Sequence, residues 1–519
     1  MSNSCKGLTG SCWTVSRNLC VGLSFLLGAL SCVGGVREFT VMVYNVENLF
    51  DLDGIAVYEE YSQSKKDTRF PYHAGRLLTK VKAHAEVIAK VGNGKGPDIL
   101  ALQELEWDHS PTRWQDVLGM LERTRKTSLD KMLRGYPAQE IRDMPAEFFL
   151  LKALEEKGIR GYHVIQPKPD PMWKKKQLAH KCVVLSRFPA KKILQHPLDQ
   201  ARDILEVWLD VDGQDLVLFN NHWKSGASGS ATEAVRIGNA RVLRKRLDHL
   251  LDDNPKTDIL LVGDFNSNID QNLRFGNRIK ETALNGILGS QGNEAALLKG
   301  RADLYNLWYE LPPLKRGSEV YAGEWGTLIQ MMVTPGLYDN RGIQYVDQSF
   351  GVLAFPGLNT HPEHGVPLSW VNLCDGAGVS DHLPVTARFR VATGKSELPK
   401  VDAKRLGGEP DRELKRRWVD SRLRDKRNLP DASVLEAMDE CERLERMGTL
   451  FRVKVPRFDA SEPSVRIGKE VFEIYTANYR VRNLFRDLQE GKPATLVAEL
   501  GLHRGTYQLV VKHTSWVNP

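Results

Sequence analysis

The sequence predicts an α+β protein, with helices layered on packed sheets and a smaller β-rich module at the end. Short runs rich in β-formers alternate with stretches of helical periodicity. Several of these runs end in a polar cluster of Asn, Glu, Asp or His, and the composition changes near Thr393. At 519 residues the chain exceeds what one core normally fills, so a large domain and a smaller one are expected.

Phe39–Tyr44 and Asp98–Gln103 read as strands, and between them Leu77, Val81, Ala85, Ile88 and Val91 approximate helical spacing until Gly92-Asn93-Gly94 stops the helix. Trp107 to Gly161 reads as a mostly helical, charged insertion. Strands return at Tyr162–Ile165, Lys181–Ser186, Ile204–Val211 and Asp215–Asn220, the last two joined by an Asp212-Gly213 turn. A helix from about Ala231 to Leu251 is expected to bury Val235, Leu243, Leu247 and Leu250. Thr257–Val262 then forms a strand ending in Gly263-Asp264, Gln271 to Gly300 is looped or helical, and Pro384–Val391 closes the large domain.

Residues 394–448 read as a charged, partly helical linker. In the following module, 449–519, the segments Phe451–Val455, Val471–Tyr475, Ala494–Ala498 and Tyr507–Val511 show a period of two, with Gly491 and Gly505 marking turns. Short strands on this scale fit a small open barrel of the oligonucleotide/oligosaccharide-binding (OB-like) kind, and a plain β-sandwich fits as well.

A hydrophobic fraction of 41% and a charged fraction of 26% exclude a multi-pass membrane protein and a mostly disordered one. The formal net charge of +7 gives a mild positive field that favours polyanions without requiring them. The basic runs Lys174-Lys175-Lys176, Lys191-Lys192 and Lys415-Arg416-Arg417, taken singly, read as solvated faces. The 7 cysteines form neither a disulfide framework nor a zinc spacing.

Residues 1–33 read as a signal peptide or N-terminal anchor: Lys6 and Arg17 precede an apolar stretch from Leu19 to about Val33, and Ala29-Leu30-Ser31 offers a cleavage site. Cys32 also permits lipidation. The body is therefore expected to leave the cytoplasm for the periplasm, cell envelope or exterior, touching a membrane only through this segment if it is uncleaved or lipidated. No stable protein partner is inferred.

Strands ending in oxygen donors and imidazoles place them on one rim of a sheet, as metal-assisted hydrolysis of a phosphate ester requires. Glu104 leaves the core after Ile99–Gln103 and is suited to holding Mg²⁺. Asp264 and Asn266 follow the tight Gly263 turn, where Asp can take a proton from water and Asn can steady phosphate oxygens. Asp381-His382 pairs an oxygen ligand with an imidazole, His222 supplies a second imidazole, and Asn45 offers an amide to metal or phosphate.

Asn45 within YNVENLF, Glu104 within LALQE, His222 within NNHWKS, the GDFN of Asp264 and Asn266, and the SDH of Asp381 and His382 occur in the order seen in the endonuclease/exonuclease/phosphatase superfamily, which the chain resembles from about Phe39 to Val391. The resemblance implies a four-layer α/β/β/α sandwich over 36–393 and a Mg²⁺-dependent attack of water on a phosphoester, with Mn²⁺ or Ca²⁺ as other candidate ions. It makes Glu104 the chief metal ligand, with Asn45 and Asp381 completing the metal and phosphate environment. Asp264 would orient or deprotonate water, Asn266 would bind the transition state, and His222 and His382 would contact phosphate and support proton transfer, in an order the sequence leaves open. The NHWKS segment looks like that of bacterial extracellular nuclease-like members, with Lys224 and Arg236 as candidate phosphate contacts and nucleic acid as the substrate.

One residue departs from the pattern. Relatives with a Trp-x-Thr-Leu-Asp-Gln segment use its Asp to orient the final His, whereas this chain has Ile329 in Trp325–Gln330. Asp339 and Asp375 are candidate substitutes. The alternatives to a nuclease are a phosphatase or sphingomyelinase-like phosphoesterase, or a catalytically weakened module that binds polyanions.

Overall fold

Alternation along each long strand sends neighbouring side chains into different cores, and this sets the layering. The computed structural model describes residues 37–53, 73–108, 116–168, 179–226, 230–276, 279–321, 324–362, 365–371, 375–394, 396–399, 429–503 and 506–518. The 1–33 segment, Lys174–Lys176 and Lys415–Arg417 lie outside them. No described helix is long and apolar enough to cross a membrane.

In chain order the strands are β1 (Glu38–Leu49), β2 (Ile99–Glu106), β3 (His163–Ile165), β4 (His180–Ser186), β5 (Ala190–His196), β6 (Ile204–Val211), β7 (Gln214–His222), β8 (Ile259–Asp264), β9 (Tyr305–Asn306) and β10 (Glu319–Tyr321). They continue as β11 (Glu324–Gly326), β12 (Ile329–Val333), β13 (Ile343–Tyr345), β14 (Gly351–Val352), β15 (Val385–Val391), β16 (Leu450–Val455), β17 (Ser464–Ile467), β18 (Glu470–Tyr475), β19 (Ala494–His503) and β20 (Thr506–Val510). One large sheet has the order β13-β15-β1-β2-β4-β3, with β14 also on β15, and the other has the order β5-β6-β7-β8-β12-β9.

Val41 and Val43 of the first sheet meet Leu216, Leu218, Leu260 and Val262 of the second in a shared inner core. Met42 and Tyr44 point the other way, onto Leu77, Val81 and Ile88 of the helix Ala74–Ala89 and Phe148 and Phe149 of the helix Ala146–Glu156. Val217, Phe219, Ile259 and Leu261 turn outward onto Ala240, Leu243 and Leu247 of the helix Glu233–Asp253. Helix, sheet, sheet and helix thus form the four expected layers. That last helix buries Glu233, Arg236 and Ala240 in line with Leu243, Leu247 and Leu250, while Val235 is only half-buried.

β1 and β2 run parallel with Asn45 opposite Gln103, and β7 and β8 run parallel with His222 opposite Asp264. The polar strand ends therefore share one rim. Gln103 Nε2 donates to Asn220 Oδ1 at 2.7 Å, and Asn220 Nδ2 donates to the carbonyls of Leu102 and Val183 at 3.1 and 3.0 Å, tying the sheets together beneath that rim. Gly263 sits at φ 128, and a Cβ there would overlap the Asn221 backbone.

The tail sheet has the order β16-β19-β20-β18-β17, with β18 and β20 parallel and the helix Tyr479–Asp487 between β18 and β19. The short strand Ser464–Ile467 lies outside the expected strand segments. The tail's core includes Leu450, Phe472, Leu496 and Trp516, and it extends to Trp325, Val366 and Leu383 of the preceding region. The tail and the rim of the large sandwich thus share one apolar cluster.

At the far edge of the second sheet Glu206 is buried. Arg246 donates to both its oxygens at 2.8 Å, and His196 and Trp208 lie at 2.6 and 2.7 Å. Burial alone would raise the Glu206 pKa, but these bonds win and bring it down to about 2. Because the folded value is depressed, this stabilisation is complete above the ordinary carboxyl value of 4.5 and disappears as pH falls towards about 2. Glu206→Gln should cost on the order of 3 kcal/mol at neutral pH and flatten the acid side of the stability curve, as measured by urea unfolding across the acid range. Gly263→Ala should cost at least about 3 kcal/mol through the clash and the left-handed backbone, which thermal unfolding would register.

Candidate active site

Glu104 reaches the rim through a strained backbone. Its φ of 65 interrupts the register of β2 with β4 between Leu102 and Leu105, a bulge that turns the carboxylate into the gap between the sheets. Glu47, Asn48 and Asn266 are also left-handed, at φ 46, 59 and 48. Such residues cluster where backbone strain is held by surrounding hydrogen bonds.

Those bonds are present. Asn45 Nδ2 donates to Glu104 Oε1 at 3.0 Å and to Asp264 Oδ2 at 3.1 Å, so one amide joins carboxylates from the two sheets. The Asn48 backbone N–H donates to Glu104 Oε2 at 3.0 Å, and that of Asn266 donates to Asp264 Oδ1 at 2.9 Å. Asn266 Nδ2 donates to the Trp223 carbonyl at 3.1 Å. Ser380 Oγ donates to the Asn45 carbonyl at 2.7 Å and accepts from the His382 N–H at 3.1 Å, fixing the Asp381-His382 pair beside β1.

Both imidazoles face this group. His222 Nε2 lies 3.6 Å from Glu104 Oε1 and 3.8 Å from Asp264 Oδ2, and His382 Nε2 lies 3.8 Å from both Asp264 Oδ2 and Asp381 Oδ1. Their environments pull them apart. Burial pushes the His222 pKa well below the usual range, helped by Arg202, His180 and His382. Burial acts the same way on His382, yet the carboxylates of Asp381, Asp264, Glu319 and Glu104 overcome it and lift the pKa to about 9. Glu104 is raised, first by burial and then by Asp381.

Ligand atoms of Glu104, His222 and Asp264 all lie within 4.8 Å of one another, a donor set that fits a divalent cation. The expected ligand Asn45 touches Glu104 directly, while Asp381 is half-exposed at the mouth of the site and acts on Glu104 through its charge. A cavity of about 510 Å³ opens beside His382 and Asp381, lined in part by Phe275, Tyr321, Trp325 and Arg274.

Of the two expected phosphate contacts, Arg236 borders the cavity and Lys224 follows His222 by two residues. Arg236 is buried: its Nε and Nη2 donate to Glu233 Oε2 at 2.9 and 2.6 Å, and its Nη1 donates to the Lys224 carbonyl at 3.1 Å. It braces the segment after His222 and borders the cavity with a guanidinium already engaged in an ion pair. Lys224 is half-exposed, with its backbone N–H on Asn239 Oδ1 at 3.3 Å.

Asp339 lies 3.8 Å from Lys256, and Asp375 is packed against Gly75, so neither stands where the carboxylate missing at Ile329 would be. Ile329 itself pairs with Asp264 across β12 and β8 and is buried in the inner core. The carboxylate facing His382 Nδ1, at 3.8 Å, is that of Glu319.

Other site residues escaped the sequence reading. Glu47 Oε2 accepts from the backbone N–H groups of Trp370 and Asp381 at 2.7 and 2.8 Å, anchoring that loop to β1. Lys80 is fully buried, donates to the Glu47 carbonyl at 2.5 Å and stands 4.6 Å above the Trp370 ring. Burial lowers its pKa to about 8 against the opposing pull of Glu47, Asp381 and Glu104. Its signal was a charged residue on the stripe of Leu77, Val81 and His84. Buried Arg202 approaches His180 Nδ1 at 3.2 Å, and the Arg202-Asp203 pair just before the apolar run of β6 marks the same rim from the antiparallel side.

Two sequence models described as the Endonuclease/Exonuclease/phosphatase family match the chain, one over residues 42–280 and the other over 179–390. No curated protein matches it. Solved structures similar to it include truncated TDP2 of Caenorhabditis elegans, at 14% identity over 68% of this chain and 98% of that one, TM-score 0.35. An endonuclease/exonuclease/phosphatase family protein of Bacteroides thetaiotaomicron is similar at 13% identity over 70% and 99% of the two chains, TM-score 0.37. A mannosyl-6-phosphatase of the same organism is similar at 14% identity over 68% and 99%, TM-score 0.35. Through residues 42–390, which hold the rim and its donors, the chain belongs to the endonuclease/exonuclease/phosphatase family, whose members are phosphoester hydrolases.

Proposed function

We propose that the chain is an exported, divalent-metal-dependent phosphodiesterase that cleaves nucleic acid. The observation that carries this reading is the meeting of Glu104, His222 and Asp264 within 4.8 Å, with Asn45 bridging two of the carboxylates and His382 beside them. Mg²⁺, held by Glu104 with help from Asn45 and Asp381, would neutralise phosphate charge and acidify water. Asp264, with both oxygens held by N–H groups, is oriented to align a water molecule and take its proton. Asn266 and the two imidazoles surround the space where a phosphate would gain negative charge.

Nucleic acid is favoured by the cavity at His382. About 510 Å³ accommodates a nucleoside, and Phe275, Tyr321 and the largely buried Trp325 put aromatic groups into the wall next to Arg274, where a base would pack. The positive net charge of +7 acts in the same direction, and the apolar N-terminal run supports export.

Plasmid DNA, single-stranded DNA and RNA should be cut in Mg²⁺ and spared in excess chelator. Glu104→Ala and Asp264→Ala should each lower the rate by at least about 10²-fold while thermal unfolding shows the fold retained. Faster turnover of sphingomyelin or of a phosphate monoester would move the substrate to the phosphatase or sphingomyelinase-like class. Binding of nucleic acid with no cleavage by the unmutated protein would leave the polyanion-binding reading.

A further inference from the structure

His382 Nδ1 is buried and has no hydrogen-bond partner, although the residue is only 8% exposed. An imidazole that is to present Nε2 to a phosphate needs its Nδ1–H held, or tautomer and ring angle are left free. The core strand offers nothing for this, because Ile329 occupies the β12 position directly opposite Asp264.

Glu319, on the neighbouring hairpin, has the required chemistry. It is 5% exposed, and its Oε2 lies 3.8 Å from His382 Nδ1. Its backbone forms an antiparallel bridge with His382, and the Leu383 N–H donates to the Ser318 carbonyl at 2.6 Å, so hairpin and histidine are joined at the main chain. Ser318 Oγ and the Leu328 N–H, the latter at 3.2 Å, donate to Oε2 and hold the carboxylate in place. Across the hairpin the partner of Glu319 is Gly326, and any Cβ there would overlap Oε1. The carboxylate thus sits in a notch that glycine leaves open.

We propose that Glu319 is the positioning residue for His382, replacing from a hairpin the carboxylate that Ile329 removes from the core strand. This rests on the hydrolase reading above. A shift of about 1 Å in ring or carboxylate makes the contact a charge-assisted hydrogen bond, with the proton on Nδ1 donated to Oε2 and Nε2 left facing Asp264 and the substrate space. Contacts of this kind tighten when substrate fills a site.

The test combines kinetics with imidazole ¹⁵N NMR of the full chain. Glu319→Gln, which keeps the shape and removes the charge, should lower kcat by about 10²- to 10⁴-fold with KM little changed. Gly326→Ala, which expels the carboxylate, should lower kcat in the same direction. In the Glu319→Gln background, Ile329→Asp should restore at least about tenfold of the loss, because it returns a carboxylate to His382 from a different strand. A merely structural Glu319 would not be rescued that way. The NMR readout needs no turnover: with inorganic phosphate bound as the probe, the Nδ1–H signal of His382 should be hydrogen-bonded in the unmutated protein and shifted in Glu319→Gln, even if the double variant fails to fold. Wild-type kcat in Glu319→Gln, or an unchanged Nδ1 signal, would overturn the assignment. Absence of phosphoester cleavage by the unmutated protein, with the Nδ1 signal behaving as described, would instead overturn the hydrolase reading alone.

Discussion

The amide of Asn45 holds Glu104 and Asp264 together although they come from different sheets, and the rest of the rim is arranged around that bridge. Two carboxylates facing each other in a buried gap repel and lose hydration, so they stay only if donors are fixed around them. The backbone supplies those donors at Asn48 and Asn266, each bent into the left-handed region to do so. Strain of roughly 1–3 kcal/mol per such residue is affordable because the Gln103–Asn220 contact below already locks the sheets in register.

The tail is part of the same construction. Trp325 and Leu383, which flank the hairpin and the final histidine, belong to the apolar cluster that contains Leu450, Leu496 and Trp516. Loosening that cluster would loosen the β10–β11 hairpin, and through it the wall of the cavity and the neighbour of His382. The coupling follows from shared packing, since interiors at crystal-like density transmit displacement.

How much could be read beforehand depended on whether chemistry and periodicity coincided. Asn45, Glu104, His222 and Asp264 were legible because each stands where an apolar run stops, and parallel pairing carries such endpoints to one rim; His382 comes to the same rim just before β15, which runs antiparallel to β1. β5 was not, because an exposed edge strand containing Lys191 and Lys192 shows no alternation to find. The ion pair that buries Arg236 at the cavity wall was not legible, because its helix face is fixed only by Glu233 and Ala240 beside it in the interior. Glu319 left no pattern at all. Its hairpin strand is three residues long, and a main-chain bridge brings it to His382 from a segment more than sixty residues away in the numbering.

Charge accounts for the remaining features of the rim. Glu47, Glu104, Asp264 and Asp381 are met by Lys80, Arg202 and the imidazoles; burial first and the Asp381 charge second push Glu104 towards holding its proton, while the surrounding carboxylates overcome burial and let His382 keep its own. The two raised values share one contribution, the negative charge of Asp381 beside both groups. A divalent cation among the same donors would relieve both, because positive charge there stabilises ionised Glu104 and releases the proton of His382. With a cation held there, the protonation of Glu104 and of His382 would follow its occupancy.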